Sequence, residues 1–291
     1  MSSTTNIANV MPSVDVIRHA IRLGAEVRNI RLSGDLSEDV LQAIGRLLLE
    51  HKVIFLRDQQ HLDDAEEERL SVEVGRLIPS PQIAVTDRTP SILQPSSSHN
   101  GGADQGRSDI FSDDLRNISV LRAVMTTPYC GETVWSNTAA AYLDLPLSLR
   151  MLADELWAVY TNAHHYGLKE HSAEADEMEF EEAFTGTIYE TTLPVVRTHP
   201  RTGERTLTLG RFAQRFVGLQ KHTAQKLLDL FQSYIWAPQN TVLWRWREGD
   251  VAIWDKRLAQ LANDHSTAGD RGGRGLAFRP GLTRVKGQKP R

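Results

Sequence analysis

The sequence predicts an α+β fold whose core is a jelly roll flanked by helices. Two observations support this prediction. Short apolar segments of strand length recur along the chain, and helical patterns concentrate near the N-terminus and between those segments. At 291 residues the chain is also long enough to bury a substantial core.

Four helices are predicted from apolar residues at helical spacing. The first covers 37–52, and Ser37 can cap its start. The second covers 63–75 and begins with several glutamates, where negative charge suits the helix dipole. The other two are expected over 139–156 and 222–235.

The predicted strands are short, and two of them form a hairpin with a glycine turn at Gly203. They cover 53–56, 119–124, 133–136, 195–198, 206–209, 241–246, 251–254 and 276–282. The segment from about 79 to 110 is rich in proline, which predicts a long loop near the active site. The acidic segment from about 168 to 190 is predicted to be an exposed insertion.

Composition excludes several classes of protein. The formal net charge of −4 gives no electrostatic case for nucleic acid. There is no run of 18 apolar residues, and the first residues do not resemble a signal peptide, so we expect a cytoplasmic protein without a membrane partner. The single cysteine, Cys130, excludes an intramolecular disulfide and is expected to be a small hydrophobe near a turn.

Seven segments in order along the chain carry one family's pattern: HKVIFLR at 51–57, LDDAE at 62–66, SVLRAV at 119–124, GETVWSNTAAAY at 131–142, HPRTGER at 199–205, WRW at 244–246 and GDVAIWDKR at 249–257. They resemble the taurine dioxygenase and alkylsulfatase branch of the TauD/TfdA family of Fe(II)/2-oxoglutarate dioxygenases. The resemblance implies a double-stranded β-helix in one domain over 14–287. A mobile tail over 1–13 and a basic tail over 288–291 are expected to flank it.

The resemblance also implies where iron ligands should stand. The family holds iron by a His-x-Asp pair and a distal His, the two-histidine, one-carboxylate triad. Counting back from the 119–124 strand without a gap places Gly106 and Ser108 at the pair, and Leu261 follows Gln260 at the distal position. Glycine and leucine offer no ligand atom and a neutral serine is a poor one, so neither Fe(II) nor 2-oxoglutarate is expected as a cofactor.

Two alternatives stay open. A register that places residues 111–113 on His-x-Asp restores an aspartate but no histidine. A metal site could also be rebuilt from His99, Asp104 or Asp109, and His265, although surface positions on loops are favoured for these residues. On a continuing strand His265 would lie about 13 Å from Leu261.

The cosubstrate and substrate positions are altered as well. Thr133 matches the threonine that helps to hold 2-oxoglutarate in the family, but Gly275 replaces the arginine that pairs with its distal carboxylate. Arg274 is adjacent and would face the other side of a strand unless the backbone bulges. Arg279 matches the arginine that contacts the substrate anion in sulfonate-using members, with an internal ion pair equally expected, and Ser80 replaces a substrate-binding histidine.

These positions lead to three hypotheses for the function. The first is a metal-independent enzyme that uses the vacated pocket for a non-redox step, with His99, Ser108 and Arg279 as candidate catalytic residues. The second is a non-catalytic partner of an active homologue or a small-molecule binding protein. The third is a dioxygenase with a rebuilt site. The pocket is expected to be lined by Ser80, Gly106, Thr133, Leu261, Arg274 and Arg279.

The partner expected from this pocket is a small organic ligand, and an anionic one if Arg279 faces it. Self-association, or a heteromer with an active homologue, stays open. The remaining chemistry-bearing side chains are expected to be structural: Trp244, Trp246 and Trp254 in the core, Tyr160 on a half-buried strand, and His164 and His165 at the surface.

Overall fold

The computed structural model describes residues 15–77, 118–125, 132–161, 190–210, 213–262 and 277–280, with backbone alone for 124–125 and 277–280. Its strands are β1 (Asp15–Arg18), β2 (Ala25–Arg28), β3 (Val53–Leu56), β4 (Ile118–Met125), β5 (Glu132–Asn137), β6 (Trp157–Thr161), β7 (Glu190–Pro194), β8 (Val196–Thr198), β9 (Arg205–Leu207), β10 (Ala213–Phe216), β11 (Thr241–Arg245), β12 (Val251–Asp255), β13 (Ala259–Ala262) and β14 (Ala277–Pro280). Its α-helices are α1 (Glu38–His51), α2 (Asp64–Arg76), α3 (Thr138–Asp144), α4 (Leu147–Glu155) and α5 (Lys221–Ile235).

Two sheets form the jelly-roll core. The larger has the strand order β1-β2-β3-β12-β4-β14, and the smaller has the order β11-β5-β13. Because strands distant in sequence are neighbours, both sheets depend on long-range pairing. This arrangement confirms the α+β, TauD-like fold that the sequence predicts.

The central strands of the large sheet are buried on both faces. In β3, Val53 and Phe55 pack into the space between the two sheets, whereas Ile54 and Leu56 pack toward α1 and α2. Strand β12 divides its residues in the same way. The alternation follows from the two-residue period of a strand, and it explains why the sequence shows continuous apolar runs here.

The first two helices begin where the sequence predicts. The Ser37 hydroxyl accepts a hydrogen bond from the Val40 backbone N–H at the start of α1. At α2 the Asp63 side chain accepts from the Glu66 N–H, and Glu66 accepts from the Asp63 N–H in return, which forms a capping box. Both helices turn apolar residues toward the outer face of the large sheet.

The single helix predicted over 139–156 is wrong, because the chain forms two helices there. Helix α3 ends at Asp144 and α4 begins at Leu147. Between them Pro146 has no N–H to donate, and Leu145 is extended, with ψ 134°. The break turns the chain while α3 and α4 stay packed in one cluster.

The predicted hairpin is confirmed. Strands β8 and β9 pair antiparallel, and Gly203 in their turn has φ +70°, a conformation that glycine adopts without strain. Several strands were missed because they are short and lack strong alternation; they are β1, β2, β6, β7, β10 and β13. The predicted loop over 79–110 and both terminal tails lie outside the described residues, as does most of the predicted insertion, whose last residue, Glu190, begins β7.

A second body of structure packs around α5. The sheet β10-β6-β7, helices α3 to α5 and the β8–β9 hairpin share one apolar cluster. Tyr160 in β6 is fully buried there, rather than half-buried as expected, and its hydroxyl donates to the Thr208 carbonyl. In the portion of the chain that the structure describes, no helix has the length and apolar character needed to cross a bilayer.

Candidate functional site

Leu261 lies on the inner face of the small sheet. It stands opposite Trp135 in the β13–β5 ladder, and directly opposed residues share a face of the sheet. Its side chain is partly buried against the aromatic cluster between the two sheets. The position where the resemblance places a metal ligand is therefore occupied by hydrocarbon packed on an apolar wall.

Thr133 lies two residues before Trp135 and so faces the same way. Its hydroxyl oxygen accepts a hydrogen bond of 2.8 Å from the indole N–H of Trp246. This contact fixes the side chain, and the hydroxyl hydrogen stays available for an acceptor. The Thr133 hydroxyl can therefore donate a hydrogen bond to an oxygen atom on this face.

Aromatic rings fill the space behind these two residues. The ring centroid of Trp135 lies 5.2 Å from that of Phe55 and 5.8 Å from that of Trp254. Phe55 in turn stacks on Trp244 at 4.2 Å. Trp244, Trp246 and Trp254 are all buried, which confirms their prediction as core residues.

The indole N–H of Trp135 is an exception to the satisfied polarity of this core. It is fully buried and has no hydrogen-bond partner in the described parts of the chain. An unpaired buried donor is costly. The wall beside Leu261 therefore consists of apolar ring surface, except for the indole N–H of Trp135, which has no acceptor among the described residues.

A charged network closes the far end of the aromatic cluster. The Arg57 guanidinium lies 3.8 Å from the centroid of the Trp244 ring and forms an ion pair with Asp250. Asp250 Oδ2 also accepts from the indole N–H of Trp244 at 3.1 Å and from the Arg247 backbone N–H at 2.7 Å. Burial raises the pKa of Asp250 to about 6, and its Oδ1 has no partner among the described residues.

A second buried network joins β8–β9 to β12. His199 Nε2 and Asp255 Oδ2 are 3.1 Å apart, and both side chains are fully buried. The Thr202 backbone N–H donates to His199 Nδ1, so Nε2 carries the proton and donates to Asp255. Burial raises the pKa of Asp255, but hydrogen bonds from Arg257 and His199 outweigh it, and the net shift is downward.

A buried lysine completes this scaffold. Lys52 Nζ donates to both carboxylate oxygens of Glu204, at 2.8 and 2.6 Å. Sequence reasoning missed the pairing of Lys52, His199, Asp255 and Asp250 with their partners. A signal was present, since all four residues lie in segments that carry the family resemblance.

Of the predicted site residues, Thr133 and Leu261 are brought onto one inner face. Arg279 lies on β14, where its register partner is Arg122 of β4, and the ladder is irregular between Ala277 and Phe278. The remaining candidates lie outside the described residues: Ser80, His99, Asp104, Gly106, Ser108, Asp109, His265 and Arg274, together with Cys130, His164 and His165.

Comparison with known proteins agrees with this geometry. Residues 14–260 match the family described as taurine catabolism dioxygenase TauD, TfdA family. The chain belongs to the TauD/TfdA family. The match ends at Gln260, one residue before Leu261.

Two TauD/TfdA relatives are similar over most of the chain. An alpha-ketoglutarate-dependent sulfate ester dioxygenase from Pseudomonas putida is 42% identical over 87% of this chain and 86% of its own length. An alkylsulfatase from Acinetobacter baylyi is 38% identical over 90% of this chain and 84% of its own length. The crystal structure of a taurine dioxygenase from Burkholderia xenovorans superposes with a TM-score of 0.61 at 27% identity, over 85% of this chain and 81% of that one.

Leu261, the described residue among the three aligned ligand positions, does not fit the iron ion that the TauD/TfdA family implies. Leu261 has no atom that could bind a metal, and its side chain is engaged with the apolar wall. Within the described ranges no group of three or more His, Cys, Asp or Glu side chains could hold a metal ion. The other two aligned positions, Gly106 and Ser108, lie outside those ranges.

Proposed function

We propose that this TauD/TfdA member binds a small organic ligand at the mouth of its jelly roll and converts it without iron, in a non-redox step. The observation that carries the proposal is the packing of Leu261 against the aromatic cluster, opposite Trp135. An imidazole at this position would present a nitrogen to a metal. The leucine instead presents an apolar surface to any ligand in the mouth.

The two other aligned positions support the proposal through their chemistry. Gly106 and Ser108 replace a histidine and an aspartate, so no negative charge and no imidazole is expected there. The sulfate ester dioxygenase relative is described as dependent on alpha-ketoglutarate. We propose that this dependence does not extend to the present chain, because none of the three aligned positions carries the histidine or aspartate that the family uses.

The residues that remain suit binding and orientation. Thr133 can donate its hydroxyl hydrogen to a ligand oxygen while Trp246 holds it in place. Arg279 is proposed to pair with an anionic group, and His99 and Ser108 to orient the reacting part of the ligand. Isomerisation, elimination, hydrolysis and cyclisation all fit such a pocket, because none requires a bound metal or an oxidant.

Iron content is the first test. The purified chain is incubated anaerobically with Fe(II) and 2-oxoglutarate, desalted, and subjected to elemental analysis. We expect iron far below one ion per chain. Near-stoichiometric iron would overturn the proposal and favour a site rebuilt from His99, Asp104 or Asp109, and His265.

A gain-of-ligand variant tests the alignment itself. The triple variant Gly106→His/Ser108→Asp/Leu261→His should gain iron if the three positions converge. The matched control carries Leu193→His in place of Leu261→His, because Leu193 is also a partly buried leucine on a strand. Equal iron in both triple variants would show that position 261 is not part of the site.

Turnover is tested in metal-free buffer with EDTA. Small organic carboxylates and sulfate esters are screened by thermal shift, and those that bind are then followed by mass spectrometry. Isomerisation or cyclisation leaves the mass unchanged and alters retention, whereas hydrolysis or elimination changes the mass by a defined fragment. Binding without any product would assign the chain to the non-catalytic class. In a parallel assay without EDTA, a product that gains one oxygen atom only when Fe(II) and 2-oxoglutarate are added would restore the dioxygenase hypothesis.

A further inference from the structure

A cleft of about 700 Å³ opens beyond the ends of β2 and β3, at the opposite side of Trp244 from Phe55. Its walls are the segment 26–31, the segment following β3, and the turn between β11 and β12. Four arginines line it: Arg28, Arg31, Arg57 and Arg247. Glu26 and Asp58 are the acidic residues in its lining, so the described lining carries an excess of positive charge in a chain whose net charge is −4.

The walls of the cleft are fixed by buried hydrogen bonds. The Gln59 side chain accepts from the Leu32 backbone N–H at 2.8 Å and donates to the carbonyls of Ile30 and Arg57, at 3.0 and 2.7 Å. His61 Nε2 lies 2.7 Å from the Leu32 carbonyl, which it can reach only as a donor. These contacts join the two walls, so the cleft does not depend on a ligand for its shape.

Two residues of the lining have a backbone conformation that is rarely adopted. Asn29 and Asp58 both have φ +60°, in the left-handed region. Asparagine and aspartate tolerate this region better than other residues with a side chain, but it still carries a cost. Such conformations cluster at binding sites, where the surrounding structure maintains them.

The arginines differ in how firmly they are held. Arg57 is only 18% exposed, stacked on Trp244 and paired with Asp250, so it is held rigidly at the floor of the cleft and Asp250 balances its charge. Arg28 donates to Glu26 at 2.6 Å. The guanidinium groups of Arg31 and Arg247 make no hydrogen bond or ion pair to another described residue. The exposed Arg31 and Arg247 therefore lie beside the fixed Arg57, and neither has a carboxylate partner among the described residues.

We infer that this cleft is a binding site for a small organic oxyanion: a carboxylate, sulfate ester or phosphate ester. A planar guanidinium grips such groups through paired N–H donors, which a lysine could not reproduce. The cleft volume lies in the range of small-molecule sites and exceeds the needs of an inorganic ion. The inference is independent of the function proposed for the jelly-roll mouth, since Leu261 and Thr133 are not part of this lining.

Isothermal titration calorimetry with phenyl phosphate at low ionic strength tests this site, with phenol as the uncharged control. We expect phenyl phosphate to bind and phenol not to bind. In the variant Arg31→Gln/Arg247→Gln, we expect affinity to fall at least about tenfold, as for the loss of two charged hydrogen-bonding partners. The matched control is Arg18→Gln/Arg215→Gln, which removes the same charge from exposed arginines away from the cleft and should stay within about twofold.

A second variant changes affinity in the opposite direction. Asp58→Asn removes a negative charge from the lining and keeps a residue that tolerates a positive φ. Phenyl phosphate should then bind about twofold to fivefold more tightly. Asp229→Asn, on the exposed face of α5, is the matched control and should leave affinity unchanged.

Three results would overturn the inference. They are no binding of phenyl phosphate by the unmodified chain, equal losses in both double-arginine variants, or equal gains in both aspartate variants. Loss through misfolding cannot imitate the expected pattern, because Asp58→Asn must strengthen binding.

Discussion

The buried carboxyl group of Asp250 makes the free energy of unfolding depend on pH. Its Oδ2 accepts three hydrogen bonds, whereas its buried Oδ1 has no partner in the described structure. The cost of burying a charge with one bare oxygen raises its pKa to about 6, from 3.8 in the unfolded chain. Between these values the folded protein binds more protons at this site than the unfolded chain does.

Because the folded protein binds more protons at Asp250 than the unfolded chain, its stability falls as pH rises through this range. As pH rises from about 4 to about 6, the contribution of Asp250 to the free energy of unfolding should fall, by on the order of 1–3 kcal/mol, and then level off. Asp250→Asn should lack this decline. Urea unfolding of both proteins from pH 4 to 7.5 measures it. A difference between them that is constant over that range would show that the carboxyl pKa is not raised.

Asp255 behaves in the opposite way although it is equally buried. Hydrogen bonds from Arg257 and His199 lower its pKa, so its stabilising contribution is present at neutral pH and is lost as pH falls below about 4. The two aspartates lie on the same strand or directly before it. Their pKa values shift in opposite directions because both Asp255 oxygens accept hydrogen bonds from Arg257 or His199, whereas Asp250 Oδ1 accepts none from a described residue.

At the scale of single elements, capping residues and prolines determine where the helices begin and end. Asn137 ends β5 and caps α3: its side-chain oxygen accepts from the N–H groups of Ala139 and Ala140, at 3.1 and 2.9 Å. Its amide group donates to the Arg22 carbonyl at 2.7 Å. One side chain therefore fixes the strand-to-helix turn and ties it to the segment before β2.

Substitution of the capping residue Asn137 should lower the free energy of unfolding. Asn137→Ala removes the cap and also removes the part-buried hydrogen bond to the Arg22 carbonyl, so we expect a loss of about 2–3 kcal/mol in the free energy of unfolding. Ser37→Ala at α1 is the comparison, because its cap bond is long at 3.5 Å and exposed. It should cost no more than about 1 kcal/mol. Chemical denaturation measures the free energy of unfolding of both variants. Equal losses would contradict the assignment of Asn137 as the more stabilising cap.

At the scale of the whole molecule, ion pairs made by two buried basic side chains join distant parts of the chain. Lys52, directly after α1, reaches Glu204 in the β8–β9 turn, and Arg122 in β4 reaches Glu67 and Asp64 in α2. These residues lie in segments that carry the family resemblance or directly beside them. The segments that resemble the family therefore contain residues that stabilise the fold. This explains why the fold can be recognised from the sequence although the three aligned iron-ligand positions differ from the family.

Loss of one such partner should destabilise the whole domain. Glu204→Gln leaves the buried ammonium of Lys52 without a counter-charge, and we expect a loss of about 1–3 kcal/mol in the free energy of unfolding. Glu132→Gln, which breaks the exposed pair with Arg245, should cost less than about 1 kcal/mol. Thermal and urea unfolding compare the two variants. A larger loss in Glu132→Gln would show that burial does not govern these pairs.

The sequence by itself determined the family, the fold class and the chemistry of the aligned positions. Those properties reside in single side chains or short runs: leucine at 261 has no ligand atom in any conformation, and segments such as 53–56 and 251–254 are apolar enough to predict buried strands. The capping residue Ser37 was predicted for the same reason, since a cap acts within one helical turn, whereas the capping box at Asp63 came from the structure.

Only the tertiary structure decided which residues meet. The pairing of His199 with Asp255, the packing of Leu261 on the aromatic wall and the arginine-lined cleft all join segments far apart in the chain. No local pattern encodes such contacts, because they depend on the order and register of the strands. Pro146 lies between the two cases. A proline within a helical pattern favours a break, but the prediction of one helix over 139–156 followed the helical spacing on either side and was wrong.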